Sequence, residues 1–346
     1  MQLGDLRNVY DADGPFATVY LEGRSPAEDA EQQVRLRWDD LRGRLADDGA
    51  DEATLEALDA AVLVEDITEV QTDGRVLVAN ASGVLLDEAW DAALGEGDAA
   101  HHGKDPELGA YVREVAGSTR LLVAIADQQG AVVRRIVAAP QHSLDDRRES
   151  EVEPASEESV HKPREGAFSH NQIQRRADEA VKQNVRKIAE HLDEAARAWR
   201  PDVVVLAGEV QGRTALRDEL TPALQEIHRE VEQGGTDDDA AEEALAEQLR
   251  LIAEEVSRAH AQEVAERFDH GRAHDQAAEG PAAVEQALEM GAVASVLLEH
   301  QRAADSEAHL LRAGARTDAE AALIDREVGG HVAALLRFEV PDLPRT

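Results

Sequence analysis

The sequence predicts an α/β (α+β) chain of three domains, spanning residues 1–117, 118–233 and 234–346. Three observations carry that prediction. A length of 346 residues is more than one hydrophobic core usually organises. Short, mostly apolar runs at 121–126 (LLVAIA), 203–207 (VVVLA) and 293–298 (VASVLL) read as strands buried within sheets. Helical stripes alternate with these runs, the longest over 171–199, and strands alternating with helices build layered α/β domains.

In the first domain, 16–21 (FATVYL) is predicted as a strand, entered through the turn Asp13-Gly14-Pro15. Residues 26–45 read as a helix, with Val34, Trp38, Leu41 and Leu45 at 4-3-4 spacing. Residues 54–63 continue helical after a break at Gly49. Segments 75–80 and 84–86 form a hairpin around Ala81-Ser82-Gly83, and 96–107 reads as a loop rich in Gly, His and Asp.

In the second domain, 120–126 and 131–137 form a hairpin joined by Asp127-Gln128-Gln129-Gly130. Residues 141–158 read as a polar, acidic loop. The helix 171–199 then keeps Ile173, Ala177, Val181, Val185, Ile188, Leu192, Ala196 and Trp199 on one stripe. Ser169 and Gln172 fit a capping box at its start, and Arg200-Pro201 stops it. The strand 203–207 turns through 208–212 into a helix over 214–220.

The third domain follows Gly234-Gly235, with Thr236 or Asp237 as the cap of a helix over 240–268. A Gly-containing turn (270–280), a helix (281–290) and a strand (293–298) come next. A further helix is expected around 318–328, and a last strand over 331–338. The acidic stretch 226–247 reads as a solvated helix face and linker.

Composition narrows the chemistry. There are 72 Asp+Glu against 36 Lys+Arg, a net charge of −36, and only four of the cations are lysine. No cysteine is present, which excludes disulfides, thiolate metal sites and a Cys nucleophile. Aromatics are 3%, so the cores must be built from Ala, Val, Leu and Ile. Asp5, Asp11 and Asp13 break any apolar leader, and no apolar run approaches the ~20 residues of a membrane span, so a cytoplasmic protein is expected. Acid excess with scarce lysine also suits a high-salt cytoplasm, where screening relieves self-repulsion. A chain of this charge is expected to avoid nucleic acid unless the basic residues are gathered in one place.

Candidate metal and nucleotide sites are weak. His270 and His274 are four apart, but no third ligand is evident, and His101-His102 have no partner either. The strand-to-helix turn 208–212 matches neither dinucleotide nor P-loop spacing. No G-x-S-x-G elbow occurs. One feature departs from the background. Between His161 and Lys187 lie Lys162, Arg164, Arg175, Arg176, Lys182, Arg186 and Lys187, against only Glu165, Asp178 and Glu179. Arg175, Lys182 and Arg186, spaced 7 and 4, share a helix face beside the apolar stripe, where ion pairing within the acidic surroundings or a phosphate-binding role would each suit them.

The segment 284–299 (VEQALEMGAVASVLLE) resembles the C-terminal domain of eukaryotic and archaeal class-one peptide-chain release factors and Pelota. Upstream, the hairpin 121–137, the basic loop, the helix with NVRKIAE (184–190) and the strand VVVLAG follow in the order of that family's middle domain. GPFATVYLEG (14–23), VHKP (160–163) and GEVQGRTAL (208–216) are most similar to the bacterial branch containing the Balon-like ribosome-hibernation factors. The resemblance implies a three-domain release-factor-like architecture with an RNase H-like middle domain and an L7Ae-like C-terminal domain.

One departure bears on activity. Release factors carry Gly-Gly-Gln in the middle-domain loop, whereas 164–172 here reads REGAFSHNQ. Without the paired glycines the tight backbone approach to the scissile ester is lost. The resemblance therefore implies a non-catalytic stress factor that occupies the A site of idle ribosomes, with no catalytic residue, metal or cofactor. Its rRNA contacts would be Lys162, Arg164, Phe168, His170, Asn171, Gln172, Arg175, Arg176, Lys182 and Arg186. Elongation factor Tu is the GTPase partner that the Balon-like branch implies. The rival expectation is a metal-dependent hydrolase or nuclease on the RNase H-like middle domain, for which Asp127 and Glu209 are the available acids.

Overall fold

The computed structural model describes residues 1–22, 30–63, 74–90, 97–126, 131–139, 147–152, 170–232, 239–340 and 343–344. Its α/β elements form three sheets. The chain divides into two compact units: Met1–Gly117 with Arg258–Thr346 (unit 1), and Ser118–Ser257 (unit 2). The division expected at 233/234 lies outside the described residues.

Unit 1 begins with a 3-10 turn, Leu3–Leu6, and a helical turn α1 (Arg7–Tyr10). Four antiparallel strands follow in the order β3-β2-β1-β4: β1 (Phe16–Leu21), β2 (Arg75–Asn80), β3 (Gly83–Ala89) and β4 (Ala99–Gly103). Strand alternation sends Ala17, Val19, Leu21, Leu77 and Ala79 to one face. There they meet Val34, Trp38, Leu41 and Leu45 of α2 (Ala30–Asp47) and Leu55, Leu58 and Val62 of α3 (Glu52–Val62). Asp51 caps α3 by accepting from Thr54 N at 2.9 Å. The other face, with Phe16, Tyr20, Val76 and Val78, joins the core of the C-terminal half.

Val112 of α4 (Gly109–Gly117) joins the same core, and the C-terminal half carries the second part of α8 (Asp239–Ala273), β10 (Ala277–Glu279), α9 (Pro281–Glu289), β11 (Val293–Glu299), α10 (Glu307–Arg316), β12 (Glu320–Ile324) and β13 (Val332–Leu336). The sheet runs β10-β13-β11-β12, with β11 and β12 parallel. Its faces are covered by Val284, Leu288, Leu310 and Leu311 on one side and by Val264 and Phe268 on the other.

Unit 2 is a mixed sheet in the order β7-β6-β5-β8-β9. It comprises β5 (Thr119–Ala126), β6 (Ala131–Ala138), β7 (Arg147–Val152), β8 (Val203–Gly208) and β9 (His228–Glu230). Helices α5 (His170–Trp199) and α6 (Val210–Glu219) cover one face, with a short α7 (Pro222–Glu226) beside them. Leu245, Leu249 and Ala253 of α8 cover the other face. Both faces being buried explains why β5 and β8 read as continuous apolar runs. Gly208 (φ +97°) is obligatory at the end of β8, because a Cβ there would lie 2.2 Å from Ala126 O.

Four expectations are corrected. Residues 99–103 form β4 rather than a loop, since β1 supplies their backbone partners. Residues 147–152 form β7, added antiparallel to β6, although 141–158 read as a loop. The Ala-rich 320–324 reads as helix but forms β12, because it pairs in parallel with β11 after Asp318 turns at φ 53°. The helix of that region lies upstream, in α10. Finally, α8 runs through Gly271 to Ala273, shortening the turn expected from residue 270. No described helix is long and apolar enough to cross a membrane.

Candidate nucleic-acid interface

Helix α5 is the element that carries the basic segment. Its 30 residues span ~45 Å. Val185, Ile188, Ala189, Leu192, Ala195 and Ala196 form the buried stripe that seats it on Leu122, Ala124, Val204 and Leu206. Beside the stripe, Lys182, Arg186 and Lys187 are exposed. The Nε of Arg186 lies 3.4 Å from Glu219 Oε2 of α6. Both partners are well exposed, so the pair is a weak one that a phosphate can displace.

The charge order along α5 is unusual. Residues 170–187 hold five cations and two carboxylates, whereas 188–199 hold one cation and three carboxylates. No acid sits in the first turn. A helix dipole favours the opposite order, with anions at the N-terminus and cations at the C-terminus. Helix stability alone therefore does not account for this arrangement.

The ten predicted contact residues are placed unequally. Lys162, Arg164 and Phe168 lie outside the described residues, as does the cap Ser169. His170, Asn171, Gln172, Arg175 and Arg176 are set by the backbone on the first turns of α5, and their side chains lie outside the described set. Lys182 and Arg186 are described and stand on one exposed face, as their spacing of four requires. Lys187, which belongs to the basic segment but not to the ten expected contacts, is equally exposed.

The alternative chemistry finds little to build on. Rings of His270 and His274 are 4.2 Å apart, and His274 Nδ1 is 2.8 Å from His270 O. His102 Nδ1 lies 2.9 Å from Asp48 O. No group of three metal-ligating side chains occurs among the described residues. Glu209 is the N-cap of α6, and its amide donates to Ala126 O at 3.0 Å. Arg213, buried in the same helix, donates to Val231 O and so ties α6 to the edge of the sheet. Asp127 lies outside the described residues.

Comparison with known proteins locates the resemblance in the same part of the chain. Residues 120–274 match the model of the bacterial archaeo-eukaryotic release factor family 2. The uncharacterized protein Rv2629 of Mycobacterium tuberculosis is 26% identical over 306 residues, covering 85% of this chain and 77% of that protein. Among solved structures, S. cerevisiae Dom34, a translation termination-like factor, is 11% identical with a TM-score of 0.44, covering 75% of this chain and 76% of its own. Archaeoglobus fulgidus Pelota is 16% identical with a TM-score of 0.35, covering 98% and 93%. The matched segment holds all but the first residue of β5, the strands β6 to β9, and the helices α5 to α8. Over residues 120–274, a little under half of its length, the chain is similar to the bacterial archaeo-eukaryotic release factor family 2.

Proposed function

We propose that this protein is a ribosome-associated, release-factor-like translation factor that occupies the A site of idle ribosomes and does not hydrolyse peptidyl-tRNA. The observation that carries the reading is α5: a basic N-terminal half on a chain of net charge −36, within the segment matched to the release-factor family. Phosphate contacts need local cations, and a surface acidic elsewhere restricts binding to one orientation. The segment 164–172 lacks the paired glycines that ester hydrolysis by this family uses, which supports occupation without chemistry. The setting is the cytoplasm, and elongation factor Tu is the GTPase that the resemblance brings with it.

Co-sedimentation with 70S ribosomes tests the proposal. Wild type is expected in the ribosome pellet, and a K182E/R186E/K187E triple variant in the supernatant at the same salt. Both remaining in the supernatant, or both in the pellet with equal salt tolerance, would overturn the assignment of α5.

A further inference from the structure

Unit 1 holds a cavity of about 510 Å³ lined by Gly14, Pro15, Gly103, Lys104 and Arg312. That volume falls within the ~300–1,000 Å³ of sites that take small molecules. The walls come from both halves of the unit. Gly14 and Pro15 precede β1, Gly103 and Lys104 stand at the end of β4, and Arg312 comes from α10. Arg312 is held rigidly there. Its Nε donates to Tyr10 O at 2.9 Å, Nη2 to Ala12 O at 3.1 Å, and Nη1 to Asp105 Oδ1 at 2.8 Å and Lys104 O at 3.4 Å. Its guanidinium also lies 5.6 Å from the centroid of the Phe16 ring. A guanidinium has five N–H donors, so these four bonds fix the fork with one Nη2 hydrogen to spare.

The charge balance of the cavity selects its ligand. Asp105 offsets Arg312, and the other oxygen of Asp105 lies 3.5 Å from His309 Nδ1. Lys104 therefore supplies the net charge at the wall. It is the one lysine of the chain outside 162–187, and it is exposed. Asp11 and Asp13 are exposed on the turn before Pro15 and oppose a second negative charge. The remaining walls are apolar or bare: Pro15 gives its ring, and Gly14 and Gly103 give backbone. Gly14 admits no side chain, because a Cβ there would lie 2.8 Å from Lys104 O and 2.9 Å from Phe16 Cε2. A Cβ on Gly103 would meet nothing nearer than Asp105 O at 3.7 Å, so space is open on that side.

We infer that this cavity binds a small monocarboxylate with a flat apolar body. Lys104 and the spare Nη2 hydrogen of Arg312 take the carboxylate, and Pro15 with the backbone of Gly14 and Gly103 takes the body. A carboxylate group alone would leave most of the volume unfilled, which is why the ligand carries a body. The site uses no residue of α5 and stands apart from the ribosome reading. Bound there, the ligand bridges the N-terminal half of unit 1 to α10, so binding stabilises the folded unit.

The test is thermal unfolding of the full chain over a concentration series of 2-naphthoate. A ligand that binds only the folded state raises the midpoint progressively with its concentration. Wild type is expected to show that rise, and K104R to keep it. K104Q changes an exposed side chain, so it should melt as wild type does without ligand and bind about tenfold more weakly. G103V places a side chain in the open space of the cavity and should abolish the rise while keeping a cooperative melt. No rise in wild type overturns the inference, as does a full rise in K104Q or in G103V. An equal rise with uncharged 2-naphthamide overturns the role of Lys104 and Arg312. An equal rise with 2-naphthyl phosphate overturns the preference for a single negative charge.

Discussion

Arginine outnumbers lysine eightfold here, and the structure shows what the guanidinium does. Arg337 donates to three carbonyls, Gly291 O at 3.3 Å and Thr317 O and Asp318 O at 2.9 Å. Arg312 reaches Tyr10 O, Ala12 O and Asp105 Oδ1. Arg113 donates to Glu299 O at 2.8 Å and Arg302 O at 2.9 Å, and also pairs with Glu307. A lysine has one nitrogen and cannot span such sets. Glu307 is 2% exposed, so its charge depends on Arg113 and on the Ala304 amide, 3.3 Å away. Glu307→Ala leaves the Arg113 charge uncompensated inside unit 1. It should cost about 3–5 kcal/mol in chemical denaturation; a loss below 1 kcal/mol, the scale of an exposed pair, would show that the pair is solvated. The tyrosines give a pH signature. Burial pushes the Tyr10 and Tyr20 hydroxyls well above the usual phenol range, and Tyr111 up to about 12. A raised folded pKa contributes stability below the unfolded value of ~10 and loses it as pH rises towards the folded one. Phenolate absorbance should therefore appear together with unfolding above pH ~10, with no native-state titration before it. A phenolate signal in the folded protein at pH ~10, the free phenol value, would contradict the burial of Tyr10 and Tyr20 and the partial burial of Tyr111.

At the scale of elements, the helix α8 decides where the middle of the chain can be cut. Leu245, Leu249 and Ala253 close the face formed by Leu121, Val123, Ile136, Val203 and Val205. The two leucines alone contribute about 3–6 kcal/mol, comparable with a whole domain's net stability of ~5–15 kcal/mol. A fragment 118–257 should melt cooperatively, whereas 118–233, the span suggested by composition, should lack a cooperative transition. Equal melting of the two would show that α8 is dispensable. This also marks what the sequence could convey. β1, β5, β8 and β11 were legible because each carries its own apolar run, and α5 because its stripe keeps one spacing from Ile173 to Trp199. β4 and β7 were not, because an edge strand is recruited by its neighbour's backbone and needs no apolar signature. β12 was lost to the helical propensity of Ala321 and Ala322, which pairing with β11 overrides. Of the candidate site, the helix and the exposure of Lys182 and Arg186 were legible from spacing.

For the whole molecule, the charge of −36 is a surface average over regions of different sign. Half of the carboxylates have no cation available to them by count, so added salt screens more repulsion than attraction. Unit 1 is assembled from the two ends of the chain, with unit 2 inserted between them. Phe16, Tyr20, Val76 and Val78 belong to the same core as Leu310 and Leu311, and Arg113 meets Glu307 across 194 residues of sequence. Synthesis from the N-terminus completes the first sheet while its second face has only Leu3, Leu6, Val9 and Tyr10 of the N-terminal turns to pack against. At ~5–20 residues per second, the remaining chain takes on the order of 10–50 s to emerge. During that interval a nascent chain of this protein presents a wet apolar surface, and its yield in the cell is set by whatever shields that surface until α10 arrives.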